Sequence, residues 1–208
     1  MELKIIKNFL EKKDLETLKL LKLNKLKNDE IKVYHNKIYT NGDIQSDCLN
    51  KTQLKEFQQK YHPKALDLLK VLNPLKANLY EYSEFHIIET GSHFKFPIHD
   101  DTPDKLLSGV IYISPEKNLG TIFYNDKKGN GKKIVDWEVN KAVFFSRTEG
   151  QTWHSYEGDK ISNRIVLVYN LMTSKIKDVY RIEKENYFLG KFRYWINPYL
   201  YRFFKITI

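Results

Sequence analysis

The sequence predicts an α+β chain built as a double-stranded β-helix, or jelly roll, covered on one face by N-terminal helices. Two observations carry this expectation. Apolar residues recur at helical spacing in the first third of the chain, then give way after residue 79 to short runs rich in β-branched and aromatic residues. Those runs amount to eight, separated by Gly, Pro, Asn and Asp turns, which is the complement of a double-sheet roll.

Taken in order, residues 8–27 read as a helix, with Phe9, Leu10, Leu15, Leu18, Leu21 and Leu23 set among lysines. Residues 31–34 and 37–39 bracket a short turn and read as a hairpin. A second helix is expected over 50–72, where Leu54, Phe57, Tyr61, Leu68 and Leu72 follow a helical stripe and Pro63 should kink or split it. Strands are expected over 80–89, 106–114, 121–124, 133–139, 142–146 and 164–171, with shorter ones over 97–101 and 154–156. The chain then divides into a helical support region (1–78), a jelly-roll core (79–174) and a basic, aromatic extension (175–208).

Composition narrows the class. With 41% hydrophobic and 14% aromatic residues, a chain of this length buries a core and is not disordered. Thirty-five Lys and Arg against twenty-six Asp and Glu give +9, but the charge is spread along the chain, so nucleic acid is not the expected partner. Cys48 is the sole cysteine, which excludes an internal disulfide and a Cys-based zinc site. The first residues carry charges throughout and no run reaches the length of a membrane span, so a cytoplasmic protein is expected. The extension holds eight Lys or Arg against three Asp or Glu, with dense aromatics. Packing on the roll or on a second subunit is its expected role, ahead of contact with a membrane.

Chemistry is suggested by His99, Asp101, His154 and Arg164. Residues two apart on an extended chain point the same way, so His99 and Asp101 can face one metal while Asp100 faces away. His154 precedes the last strands, which a closed roll brings back beside its earlier ones. Two imidazoles and a carboxylate form a facial triad that leaves coordination positions open, the pattern of non-haem Fe(II) sites. Arg164 opens the apolar run RIVLVYNLM, and a buried guanidinium needs an anionic partner. The residues alone also allow a cupin-like binding roll that holds no redox metal.

Three segments, HIIETGSHFKFPIHDD, LLSGVIYISPEKNLGTIFYND and KAVFFSRTEGQTWHSYEGDKISNRIVLVYNL, resemble the Fe(II)/2-oxoglutarate-dependent oxygenases, and among them the prolyl 4-hydroxylase-like branch. The resemblance covers roughly residues 85–172. It implies His99, Asp101 and His154 as iron ligands and Arg164 as the residue that holds the distal carboxylate of 2-oxoglutarate. Tyr112 would hydrogen-bond the same carboxylate, with Ser108 at a nearby inward position. The implied reaction uses Fe(II), 2-oxoglutarate and O2, hydroxylates a peptidyl (prolyl included) or small-molecule substrate, and releases succinate and CO2. Asp101 favours hydroxylation over halogenation, which takes a small residue in that place. Two positions depart from the branch. Its tyrosine upstream of His-x-Asp is absent from ETGSHF, leaving Thr90, His93 or no residue to serve, and its glycine pair reads Leu119-Gly120. A nucleic-acid demethylase of the same superfamily is the rival, but its Arg-x-Asn-x-Thr-x-Arg pattern fails over residues 164–170, RIVLVYN.

Overall fold

The computed structural model describes residues 2–23 and 26–204. In chain order its elements are β1 (Lys4–Ile6), α1 (Lys12–Lys19), β2 (Ile31–Tyr34), β3 (Asn36–Tyr39), β4 (Ile44–Ser46), α2 (Lys51–Leu72) and α3 (Pro74–Ala77). They continue as β5 (Tyr82–Thr90), β6 (Lys95–His99), β7 (Lys105–Ser114), β8 (Thr121–Phe123), β9 (Lys133–Val135), β10 (Ala142–Phe145), β11 (His154–Glu157) and β12 (Arg164–Met172). Helices α4 (Ile176–Glu183) and α5 (Tyr187–Phe204) follow.

Two antiparallel sheets form the roll. The larger runs β1-β10-β7-β12-β5-β3-β4, with β2 also on β5, and the smaller runs β6-β11-β8-β9. Alternation along each strand divides the larger sheet into two faces. One carries Phe85, Ile87, Ile111, Ile113, Leu167, Tyr169 and Leu171, which are buried in one cluster with Leu54, Phe57, Tyr61, Ala65 and Leu69 of α2. Each such side chain contributes roughly 1.5–3 kcal/mol by leaving water. The other face carries Thr90, Ser108, Tyr112, Phe145 and Arg164 toward the smaller sheet, a placement set by the registers Arg164↔Thr90, Val166↔Tyr112 and Phe145↔Ser108. The site therefore lies between the sheets, backed by a helix-covered core.

The N-terminal third differs from the sequence expectation. Helix α1 is confined to Lys12–Lys19. Leu21 and Leu23 pack on the core from extended chain, since a spacing of two suits a strand-like path better than a helix. The expected hairpin does not form either. Both β2 and β3 pair with β5, and β3 takes β4 as its other neighbour. Asn36 makes the break between β2 and β3: its Oδ1 accepts from the backbone N–H groups of Asp47, Cys48 and Leu49, and its Nδ2 donates to the carbonyls of Tyr34 and Phe85. Pro63 does not split α2, which runs unbroken over 22 residues. A capping box of Asn50 and Gln53 starts it, and the buried stripe Leu54, Phe57, Tyr61, Ala65 and Leu69 holds it to the sheet across the proline.

Candidate metal centre and co-substrate pocket

Strand pairing brings the two histidines together. His99 ends β6 and His154 begins β11, and they are directly paired across the smaller sheet with ring centroids 4.2 Å apart. Asp101 follows β6 in the turn toward β7. One ligand atom from each of His99, Asp101 and His154 lies within 4.8 Å of the other two, and among the described residues no other set of His, Cys, Asp or Glu converges in this way. Each imidazole Nδ1 donates to a backbone carbonyl, that of Pro97 at 3.0 Å for His99 and that of Thr152 at 2.8 Å for His154. That contact fixes the tautomer and leaves both Nε2 atoms with a lone pair for a metal. Asp100 points elsewhere, its carboxylate accepting from Gly150 N–H at 2.8 Å and from the Thr152 hydroxyl.

The electrostatics suit a cation. Burial, helped by neighbouring His154, pushes His99 down to about 3, so its ring stays neutral. Burial alone would raise Asp101, but Lys105, His154 and His99 outweigh it and hold the carboxyl below the usual range. Lys105 Nζ donates to Asp101 Oδ1 at 2.6 Å, and Ser108 Oγ donates to Oδ2 at 2.6 Å. Ser108 is thus placed against the carboxylate and not in the Arg164 pocket: it pairs with Asn170 on β12, six residues along the strand from Arg164. The sequence set Ser108 near the co-substrate; here its hydroxyl is engaged by the Asp101 carboxylate, a side chain's level along the strand mattering as much as the face it points to.

Arg164 is 2% exposed, and among the described residues no carboxylate pairs with it. Its guanidinium lies 4.5 Å from the Tyr156 ring centroid and 5.2 Å from that of Trp137, with one long hydrogen bond to the Leu119 carbonyl at 3.4 Å. Its Nε is buried with no hydrogen-bond partner. Opposite it on β5, the Thr90 hydroxyl is also buried and unpartnered. Tyr112 stacks on Trp137 at 4.5 Å, donates its hydroxyl proton to Thr121 Oγ1 at 2.9 Å and accepts from Thr121 N–H at 3.0 Å. The tyrosine is near the guanidinium, but its hydroxyl is occupied by protein.

Sequence reasoning missed Lys105, Thr121, Trp137 and Tyr156. Lys105 had a usable signal, standing four residues after Asp101 just before an apolar strand. The aromatic rings had none, because their meeting depends on how the sheets close. Gly120, the one glycine kept from the pair, sits where an added Cβ would meet the Val135 carbonyl oxygen at 1.8 Å. His93 is exposed, bonded to Ser92 at 3.0 Å, and lies outside the site.

Beside the triad opens a cavity of about 480 Å3, bordered by His99, Asp101, Phe96, Trp153, Tyr180 and, from α5, Gly190, Arg193, Tyr194 and Asn197. Arg164, Tyr112 and Thr90 do not border it.

Solved structures share this arrangement of sheets and helices. A prolyl-4-hydroxylase from Pseudomonas putida matches 82% of this chain and 92% of its own at 14% identity, with a TM-score of 0.55. A 2OG-Fe(II) oxygenase family oxidoreductase from Burkholderia pseudomallei matches 82% and 85% at 12% identity, with a TM-score of 0.56. The fold is that of the 2OG-Fe(II) oxygenases. A prolyl hydroxylase from Trichoplax adhaerens, solved with a hypoxia inducible factor oxygen degradation domain peptide fragment, matches 84% and 85% at 14% identity, with a TM-score of 0.53. At these identities the likeness is one of architecture, and it agrees with the prolyl hydroxylase-like branch of this oxygenase fold. No protein-family model matches the sequence, and no curated protein matches it.

Proposed function

We propose that the chain is an Fe(II)- and 2-oxoglutarate-dependent dioxygenase that hydroxylates a peptidyl, prolyl included, or small-molecule substrate. One observation carries the reading: the same chain holds a converged His-Asp-His triad and a buried Arg164 whose Nε, like the Thr90 hydroxyl opposite it, has no hydrogen-bond partner. A buried guanidinium without an anion is costly, and a carboxylate that also accepts from a hydroxyl fills that need. His99, Asp101 and His154 would hold the iron, and Arg164 with Thr90 the distal carboxylate. When bound, the iron and the co-substrate supply O2 activation coupled to decarboxylation, giving succinate, CO2 and a hydroxylated product.

The chain's own residues do the positioning. The Pro97 and Thr152 carbonyls orient the two rings, while Ser108 and Lys105 hold the Asp101 carboxylate in place. Trp137 and Tyr156 cover the guanidinium and keep water from it. The cavity beside His99 and Asp101 receives the substrate, its aromatic walls suiting an apolar carbon. A peptide substrate is supported by the fold shared with the Trichoplax adhaerens enzyme. Anaerobic addition of Fe(II) and 2-oxoglutarate should give a weak visible charge-transfer band that His99→Ala and His154→Ala abolish without unfolding the chain. A spectrum without the band, from protein that retains its fold, would leave the roll a binding module.

A further inference from the structure

Helix α5 has two working faces. Gly190, Arg193, Tyr194 and Asn197 border the cavity beside the triad, and Gly190 is pressed against the Tyr180 ring, where an added Cβ would come within 2.2 Å. On the opposite side, at 3.6 residues per turn, Phe188, Phe192, Trp195 and Tyr199 form a ridge. Its rings touch each other, Phe192 to Trp195 at 6.4 Å and Trp195 to Tyr199 at 5.8 Å. The ridge is exposed, at 80%, 51%, 61% and 55% in that order. The packing expected of the tail therefore accounts for the first face and leaves the second uncovered.

Charge selects what covers it. Residues 187–208 contain Lys191, Arg193, Arg202 and Lys205 and no acidic residue, within a chain of net charge +9. Lys191 is exposed and stands on one flank of the ridge, while Arg193, on the cavity side, pairs with Glu149 at 3.2 Å. A second copy of the same helix would set like charges against each other across a two-fold axis. An anionic lipid surface opposes them with the complementary sign and takes Trp and Tyr rings at headgroup depth. No described helix is long and apolar enough to cross a membrane, so the contact is one of lying on the surface.

We infer that α5 docks the protein on an anionic bilayer through this ridge, with the cavity on the helix's other face held close to the membrane. The inference does not depend on the metal chemistry, because docking requires neither iron nor 2-oxoglutarate. The test is co-sedimentation of the full-length protein with phosphatidylcholine vesicles containing about one-fifth phosphatidylserine, against vesicles of phosphatidylcholine alone. Binding should be at least about tenfold tighter to the anionic vesicles and should weaken as ionic strength rises. Phe192→Ser with Trp195→Ser, both exposed and outside the cavity lining, should lose binding while keeping the thermal midpoint. In the unsubstituted protein Trp195 should bring a blue-shifted emission component that Trp195→Phe removes. Protein that stays in the supernatant with both vesicles overturns the inference, as does binding unchanged by the double substitution. A solution dimer that the same substitution dissociates would assign the ridge to a second copy instead.

Discussion

Arg164 shows how one side chain sets a measurable order of effects. Its guanidinium is buried between two aromatic rings, and burial lowers its proton affinity with no described carboxylate to offset the cost. Arg164→Ala should weaken 2-oxoglutarate binding by about 2–5 kcal/mol, since it removes a charge-assisted contact in a water-excluded pocket. Thr90→Val, which keeps the shape of the side chain, should lose about 1.5–3 kcal/mol, the worth of one hydrogen bond to a charged group. Tyr112→Phe should fall below both, because its hydroxyl already bonds Thr121. Calorimetric titration of the Fe(II)-loaded variants gives the order directly. If Tyr112→Phe proves costlier than Thr90→Val, the Tyr112 hydroxyl turns from Thr121 to the co-substrate on binding. At this scale the triad and Arg164 were legible because ligand chemistry restricts residue type and strand alternation restricts spacing. Thr121 and Trp137 were not, since nothing in a single strand reveals which residues the opposite sheet sets against it.

Among the elements, α4 ties the C-terminal extension to the loop that carries Asp101. Glu183, its last residue, has a side chain only 1% exposed and pairs with Lys76 of α3 at 2.5 Å and with Arg147 at 2.6 Å. Arg147 in turn donates through Nε to the Asp101 backbone carbonyl at 3.0 Å. Burial lowers the proton affinity of Lys76, and Glu183 partly restores it. Glu183→Ala should therefore destabilise the protein by about 3–5 kcal/mol, because it leaves two buried cations short of their shared anion. A urea titration measures this, and Lys76→Met combined with Glu183→Leu should cost less than the two single changes added together. Equal and additive losses would mean that the pair acts only through packing volume. Nothing in the sequence around Arg147 marks its pairing with Glu183, which lies 36 positions downstream on a separate helix.

At the scale of the whole molecule, a carboxylate far along the sheet from Arg164 should add to the sensitivity to acid. Burial opposes the charge of Glu84, but His86, Lys37 and Asn170 outweigh it and hold this carboxyl at about 2 against an ordinary 4.5. A depressed carboxyl stabilises the fold fully above its unfolded value, and that contribution disappears as pH falls from about 4.5 toward 2. Its size is on the order of 2–4 kcal/mol. Unfolding free energy measured across that interval should slope less steeply with pH in Glu84→Gln than in the unsubstituted chain. An unchanged slope would assign the acid sensitivity to other carboxylates. Most of the architecture was readable at this level, because the change from helical to alternating apolar spacing marks where the roll begins. β1 and β4, three residues each, were obscured by their shortness, and the pairing of β3 with β5 was hidden because it joins distant parts of the chain.

Strand order also bears on how the chain leaves the ribosome. The longest ladders of the larger sheet join β12 to β5 on one side and to β7 on the other, yet β12 is the last strand of the roll to be translated. Until Met172 has emerged, β5 and β7 each expose an unpaired edge, and no shorter nascent chain contains a completed larger sheet. Completion of the larger sheet thus waits for β12, and a fragment ending ahead of residue 164 carries two sticky strand edges and no middle.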